Sequence, residues 1–264
     1  MDYIGNNKAA WEEAFDHKQD GWGEENYKRL LNENLPFFCK DMAAELRSMD
    51  FKGKSAAQFC CNNGRELLSL MQLGAESGTG FDIAENIIAQ ASEAAEKAGI
   101  SNCRFVPCNI LDIDKKYHNS FDFILFTIGA ITWFEDLKPL FQKVSDCLKP
   151  GGILLIHDFH PVMNMLPMPG EPEFDGEHLN RVVYSYFRNE PWIENEGMGY
   201  MSEPYESKTF TSFSHTMSAI INAVSDSQMR IVRLKEFDYD IGLTEVYDGK
   251  GFPLSYILTA EKCR

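Results

Sequence analysis

Ala56-Ala57-Gln58-Phe59-Cys60-Cys61-Asn62-Asn63-Gly64-Arg65-Glu66-Leu67-Leu68 is the stretch from which the fold can be read. Residues 56–59 form an apolar run of strand length, Asn62, Asn63 and Gly64 are turn formers, and 65–73 carry apolar residues at helical spacing. The same rhythm recurs downstream. It predicts strands over 78–81, 104–106, 121–126 and 153–157 and helices over 84–98 and 137–148. Short apolar runs alternating with amphipathic segments are the signature of βαβ units in a doubly wound α/β sheet. Lys149-Pro150-Gly151-Gly152 stops the last of these helices with a terminal cation, a proline that cannot continue it and glycines that can turn.

On the N-terminal side, residues 6–15 and 24–49 read as helices, the second interrupted by Pro36. Residues 1–50 are therefore expected to form a helical cap on a core spanning 51–158. From 159 to 214 the pattern breaks into aromatic, Pro- and Gly-containing sequence. An insertion of this length inside a compact domain is expected to act as a lid or substrate loop. Residues 215–264 resume regular structure, with a helix over 217–226 and strands over 230–237 and 255–261.

Composition narrows the class. A chain of 264 residues with 44% hydrophobic and 25% charged residues fits one folded α/β domain with additions. Acidic residues number 40 against 25 basic, for a net charge of -15, and no Lys/Arg cluster stands out. Such a field repels polyphosphate, so no nucleic-acid partner is expected. No apolar run is long enough to cross a bilayer and the start lacks a secretory pattern, so a cytoplasmic protein without membrane contact is expected. The seven cysteines are odd in number and lack metal-ligand spacing, which predicts reduced thiols. No metal is expected at His157, Asp158 and His160, because strand alternation puts His157 opposite Asp158. The oligomeric state is left open.

In doubly wound sheets ligands bind beyond the carboxyl ends of the strands. After the first strand the G-x-G-x-x-G fingerprint of dinucleotide binders is missing, which argues against NAD. Asn62 and Gly64 tolerate positive φ and suit a tight turn that exposes backbone amides. After the second strand come Asp82 and Ile83, with Asp82 18 residues past Gly64, close to the roughly 20 expected of an acid on a ribose diol. Its carboxylate either binds two vicinal hydroxyls or caps the next helix. After the third strand, Asn109 and Ile110 offer an amide and an apolar face to a purine. After the fourth, Thr127, Ile128 and Gly129 bring backbone close to a ligand. Trp11 of the cap is placed to close over the cofactor.

With these residues in order, positions 55–158 resemble the class I S-adenosylmethionine-dependent methyltransferases. The likeness is carried by Cys60-Cys61-Asn62-Asn63-Gly64 in place of the glycine loop, Gly80-Phe81-Asp82, Phe121-Asp122-Phe123-Ile124 and Leu148-Lys149-Pro150-Gly151-Gly152. Gly129-Ala130-Ile131-Thr132-Trp133, His160-Pro161, Asn7-Lys8-Ala9-Ala10-Trp11, Ser214-His215 and Phe252-Pro253-Leu254 are similar to a bacterial small-molecule-type branch of that family. The resemblance implies a Rossmann-like seven-stranded sheet with the last strand antiparallel, and S-adenosylmethionine as cofactor. Two positions depart from the pattern. Cys60-Cys61-Asn62 replaces the usual G-x-G, and Gln58 stands where an acid often ends the first strand. The altered loop keeps a noncatalytic binding module open as an alternative.

Methyl transfer needs in-line positioning and, for a protonated acceptor, a base. The Asn/Asp-Pro-Pro-aromatic tetrapeptide of similar amino-methyltransferases is absent, since Thr127-Ile128-Gly129-Ala130 stands there. A small-molecule O or N acceptor is therefore expected. His160 and His215 are the candidate bases, each with a purely structural alternative. Trp133, Tyr184 and Trp192 are candidates for contact with substrate, or else core of the lid.

Overall fold

The computed structural model describes residues 2–264. Its main sheet has seven strands: β1 (Ser55–Phe59), β2 (Ser77–Asp82), β3 (Cys103–Pro107), β4 (Phe121–Phe126), β5 (Leu148–Phe159), β8 (Met229–Phe237) and β9 (Ser255–Lys262). They lie in the order β3-β2-β1-β4-β5-β9-β8. Pairings from β3 through β5 are parallel, whereas β9 runs antiparallel to both β5 and β8. This is the seven-stranded α/β sheet expected, with its last strand reversed. The order turns back between β1 and β4, which opens a crevice at their carboxyl ends.

Alternation along the strands feeds two cores. On one face Ala57, Phe59, Phe126 and Ile156 pack with Leu140, Phe141 and Val144 of α6 (Leu137–Cys147) and Val224 of α7 (Met217–Asp226). On the other, Ala56, Phe123, Leu125 and Leu155 meet Met42 and Leu46 of α3 (Lys40–Arg47) and Leu67 and Leu70 of α4 (Arg65–Met71). Each buried large apolar side chain contributes roughly 1.5–3 kcal/mol of transfer free energy. Helix α5 (Glu85–Lys97) covers β2 and β3.

Three elements differ from expectation. The helix predicted over 24–49 is two: α2 (Asn26–Asn32) and α3, parted at Leu35, whose φ is 54°, before Pro36. Proline bars its predecessor from helical backbone, so a break rather than a kink results. Strand β5 starts at Leu148 because Lys149–Gly152 continues as extended chain after the helix stops. A Cβ at Gly152 would lie 2.8 Å from the Lys149 carbonyl oxygen, so only glycine lets these backbones approach. The insertion also contains regular structure, a two-stranded antiparallel ribbon of β6 (Trp192–Glu194) and β7 (Phe210–Ser212). It is held to α1 (Tyr3–Asp16) by a buried amide clamp: Asn7 Nδ2 donates to the Thr211 carbonyl at 2.8 Å, and the Thr211 N–H donates to Asn7 Oδ1 at 2.7 Å.

Candidate active site

The loop after β1 turns through three left-handed residues, Cys60 (φ 53°), Asn62 (φ 48°) and Gly64 (φ 73°). Only the last must be glycine: a Cβ on Gly64 would sit 2.4 Å from Phe105 Cε1. At Cys60 and Asn62 the side chain bears a conformational cost of about 1–2 kcal/mol each. The loop is held from below. Asp82 Oδ2 accepts the Asn62 N–H at 2.8 Å while Oδ1 accepts the Ala84 N–H at 3.2 Å. Burial raises the Asp82 carboxyl above its ordinary value, opposed by backbone donation from Ala84, Asn62 and Ile83. Gln58 explains its departure from an acid. Its Nε2 donates to Thr127 Oγ1 at 2.9 Å and its Oε1 accepts the Leu67 N–H at 3.0 Å. A carboxylate accepts only, so it offers no such donor.

A cavity of about 490 Å³ opens over this end of the sheet. Cys60 and Asn62, Asp82 and Ile83, Asn109 and Ile110, and Thr127, Ile128 and Gly129 line it from four consecutive strand ends. Trp11, Trp133, Tyr184, Trp192 and His215 line it too. Trp11 packs edge-on to Trp133, with ring centroids 5.5 Å apart, so cap and core meet over the cavity. Cys61 and Gly64 shape the loop without lining the cavity. Cys61 is fully buried behind it.

His160 stands elsewhere and is not among the residues that line the cavity. The chain turns at His160 into a 3-10 segment, and the ring faces β8 instead of the cavity: Nδ1 accepts the Val162 N–H at 3.2 Å and Nε2 meets Glu236 Oε1 at 2.9 Å. Both nitrogens are engaged. His215 does face the cavity. Its Nε2 donates to the Phe134 carbonyl at 2.9 Å, and burial pushes its pKa down, which keeps the ring neutral with Nδ1 as the basic nitrogen.

The sequence reading missed Asp158. It lies at the carboxyl end of β5, is 3% exposed and lines the cavity. Its Oδ1 accepts N–H groups from Gly129 at 2.5 Å and Phe159 at 2.8 Å; its Oδ2 makes no hydrogen bond of ordinary geometry, although the Ile131 N–H also acts on the carboxylate to favour its charged form. Burial raises its carboxyl to about 7. The signal was present: alternation sends Asp158 away from His157, whose Nε2 approaches Cys39 Sγ at 3.9 Å on the opposite face. Weighed only as a metal ligand beside His157, Asp158 escapes notice. Glu66, Arg65, Glu171 and Glu194 also line the cavity, and Arg65 Nε donates to Glu66 Oε1 at 2.7 Å. Among the described residues no three His, Cys, Asp or Glu side chains group as a metal set, and no helix is long and apolar enough to cross a membrane.

Comparison with known proteins agrees with this geometry. Residues 51–190 match the methyltransferase domain family. The chain belongs to that family, and its architecture is that of the class I S-adenosylmethionine-dependent enzymes. It is 24% identical over 192 residues to an uncharacterized protein of Haemophilus influenzae, covering 71% of each chain. It is 28% identical over 109 residues to the ribosomal protein L11 methyltransferase of Pasteurella multocida, covering 41% of this chain and 35% of that one. Its fold superposes on an S-adenosylmethionine-dependent methyltransferase of Mesorhizobium loti with a TM-score of 0.64 at 18% identity, covering 83% of this chain and 97% of the other.

Proposed function

We propose that the protein transfers a methyl group from S-adenosylmethionine to an oxygen or nitrogen of a small molecule. One observation carries the reading: residues following β1, β2, β3 and β4 converge on one wall of a single cavity that the N-terminal cap and the 159–214 insertion cover. The cavity's charge suits the cofactor. Five carboxylates line it, from Glu66, Asp82, Asp158, Glu171 and Glu194, against the one guanidinium of Arg65. An acidic, aromatic-lined cavity of this size accommodates a cationic nucleoside.

In this reading Asp82 binds the ribose hydroxyls, the Asn62–Gly64 loop holds the methionine portion, and Asn109 and Ile110 flank the adenine. S-adenosylmethionine, when bound, supplies an electrophilic methyl carbon on a positively charged sulfur. Asp158 replaces His160 as the base: its free Oδ2 accepts the acceptor's proton, while Gly129 and Phe159 fix Oδ1. His215 Nδ1 orients the acceptor. Trp11 and Trp133 exclude water. The altered loop gives little support to a noncatalytic module, because Cys60 and Asn62 hold the positive φ that glycine would hold.

The test is release of S-adenosylhomocysteine from the full-length protein on incubation with S-adenosylmethionine and a library of small amines and alcohols, with ribosomal protein as a control. Turnover confined to small molecules supports the proposal. Turnover with the ribosomal protein alone, or with nothing tried, contradicts it.

A further inference from the structure

Strand β5 and the insertion bring three acids to the lining of the cavity: Asp158, Glu171 and Glu194. Two are fixed in place. Asp158 is held through Oδ1 and leaves a buried Oδ2 unpartnered. Glu171 Oε2 accepts the Met168 N–H at 3.0 Å and the Tyr184 hydroxyl at 3.0 Å. Glu194 is exposed on β6 and bears no side-chain hydrogen bond, and partial desolvation, with Glu171 and Glu196 beside it, pushes its pKa up. No cation balances the three from within. Arg65 is paired with Glu66, and His215 is neutral.

A buried acceptor oxygen without a partner is costly, and Glu171 and Glu194 add further negative charge to the lining of the same cavity. A ligand that brings a positive charge and several N–H donors removes both penalties. A neutral hydroxyl removes one, and a carboxylate or phosphate adds to the repulsion. Resting on the methyltransferase reading above, we propose that the acceptor is a small primary or secondary amine, bound as its ammonium ion at Asp158 in a negative field to which Glu171 and Glu194 add. The aromatic faces of Trp133 and Tyr184 supply the apolar part of its site.

The chemistry then balances. The ammonium gives one proton to Asp158 Oδ2 and regains its lone pair. The amine nitrogen forms a bond to the methyl carbon as the carbon–sulfur bond breaks, and that bond's electron pair leaves on sulfur as a thioether. The methylated product departs as an ammonium, and Asp158 returns its proton to solvent. Because burial lifts the Asp158 carboxyl to about 7, it is a stronger base toward an ammonium than an ordinary carboxylate and still discharges near neutral pH.

Calorimetry on the full-length protein saturated with S-adenosylhomocysteine tests the idea, with phenethylamine and butylamine set against 2-phenylethanol, butanol and 3-phenylpropionate at pH 8. At least one amine is expected to bind tenfold tighter than its matching alcohol, and the carboxylate not at all. Glu194→Gln, which disturbs no hydrogen bond of the fold, is expected to weaken the amine at least threefold, and Asp158→Asn at least tenfold. Both should leave affinity for S-adenosylhomocysteine within twofold. Equal binding of amine and alcohol, no binding of either amine, or equal losses for both ligand types in the Glu194→Gln variant would overturn the inference while leaving the methyltransferase reading intact. Failure of S-adenosylhomocysteine itself to bind would overturn the reading and the inference together.

Discussion

Asp158 is destabilising where it stands, and that is a measurable statement. Its folded pKa of about 7 lies above the ordinary carboxyl value of 3.8, so the folded chain keeps a proton that the unfolded chain has lost between those limits. Stability from this group is full below the lower value and is lost as pH rises to the upper one. Asp158→Asn keeps an oxygen for the Gly129 and Phe159 N–H groups and removes the titration. Thermal denaturation is expected to show the variant gaining on the wild type from pH 4 to pH 8 by about 1 kcal/mol or more, a shift of about 2–4 °C per kcal/mol. The same substitution should lower turnover by about 10²–10⁴-fold. Wild-type turnover should rise through pH 7. The neighbouring Cys60 thiol and Tyr256 phenol are both pushed upward by burial and stay neutral, and burial lowers His160 beside Glu236, so none of them mimics that rise. Gly64→Ala would force its Cβ against Phe105 at a positive φ, and chemical denaturation should show a loss of about 2–4 kcal/mol. Asp82 was legible in the sequence because a strand end and a spacing mark it. The placement of the His160 ring was not legible, because its direction depends on a turn and on the partnership with Glu236 on β8.

At the scale of elements, the central strands β4 and β5 were readable because both faces of the sheet are buried there, so Phe123–Phe126 and Ile153–Ile156 are continuous apolar runs. The β6–β7 ribbon was not, since three-residue strands are too short to show a period. Its position depends on contacts distant in sequence: the Asn7–Thr211 clamp and the packing of Trp11 on Phe210, with ring centroids 5.6 Å apart. Asn7→Ala leaves the Thr211 N–H and carbonyl without their partner. The expected outcome is a loss of about 1–3 kcal/mol and faster proteolytic cutting within residues 195–209, read by limited digestion and mass spectrometry. Unchanged digestion would mean that the ribbon is held by the rest of the insertion instead.

For the whole molecule, the net charge of -15 and the acidic cavity act in the same direction. A field of that sign draws a cationic acceptor inward and is screened by salt. Raising ionic strength from about 0.05 to about 0.5 M should raise KM for a cationic acceptor several-fold and leave that for a neutral one unchanged. The sheet order that makes the crevice, the loop that needs Gly64 and the cap that supplies Trp11 all serve one cavity, whose cofactor side is formed by the ends of β1 to β4. Calorimetric titration with S-adenosylmethionine, S-adenosylhomocysteine and NAD, on the wild type and on Asp82→Ala, tests that assignment most directly. Micromolar binding of the first two, weakened at least tenfold by Asp82→Ala, with no binding of NAD, is the predicted result. Binding of NAD in preference, or binding of the nucleosides that a folded Asp82→Ala variant leaves unchanged, would contradict it.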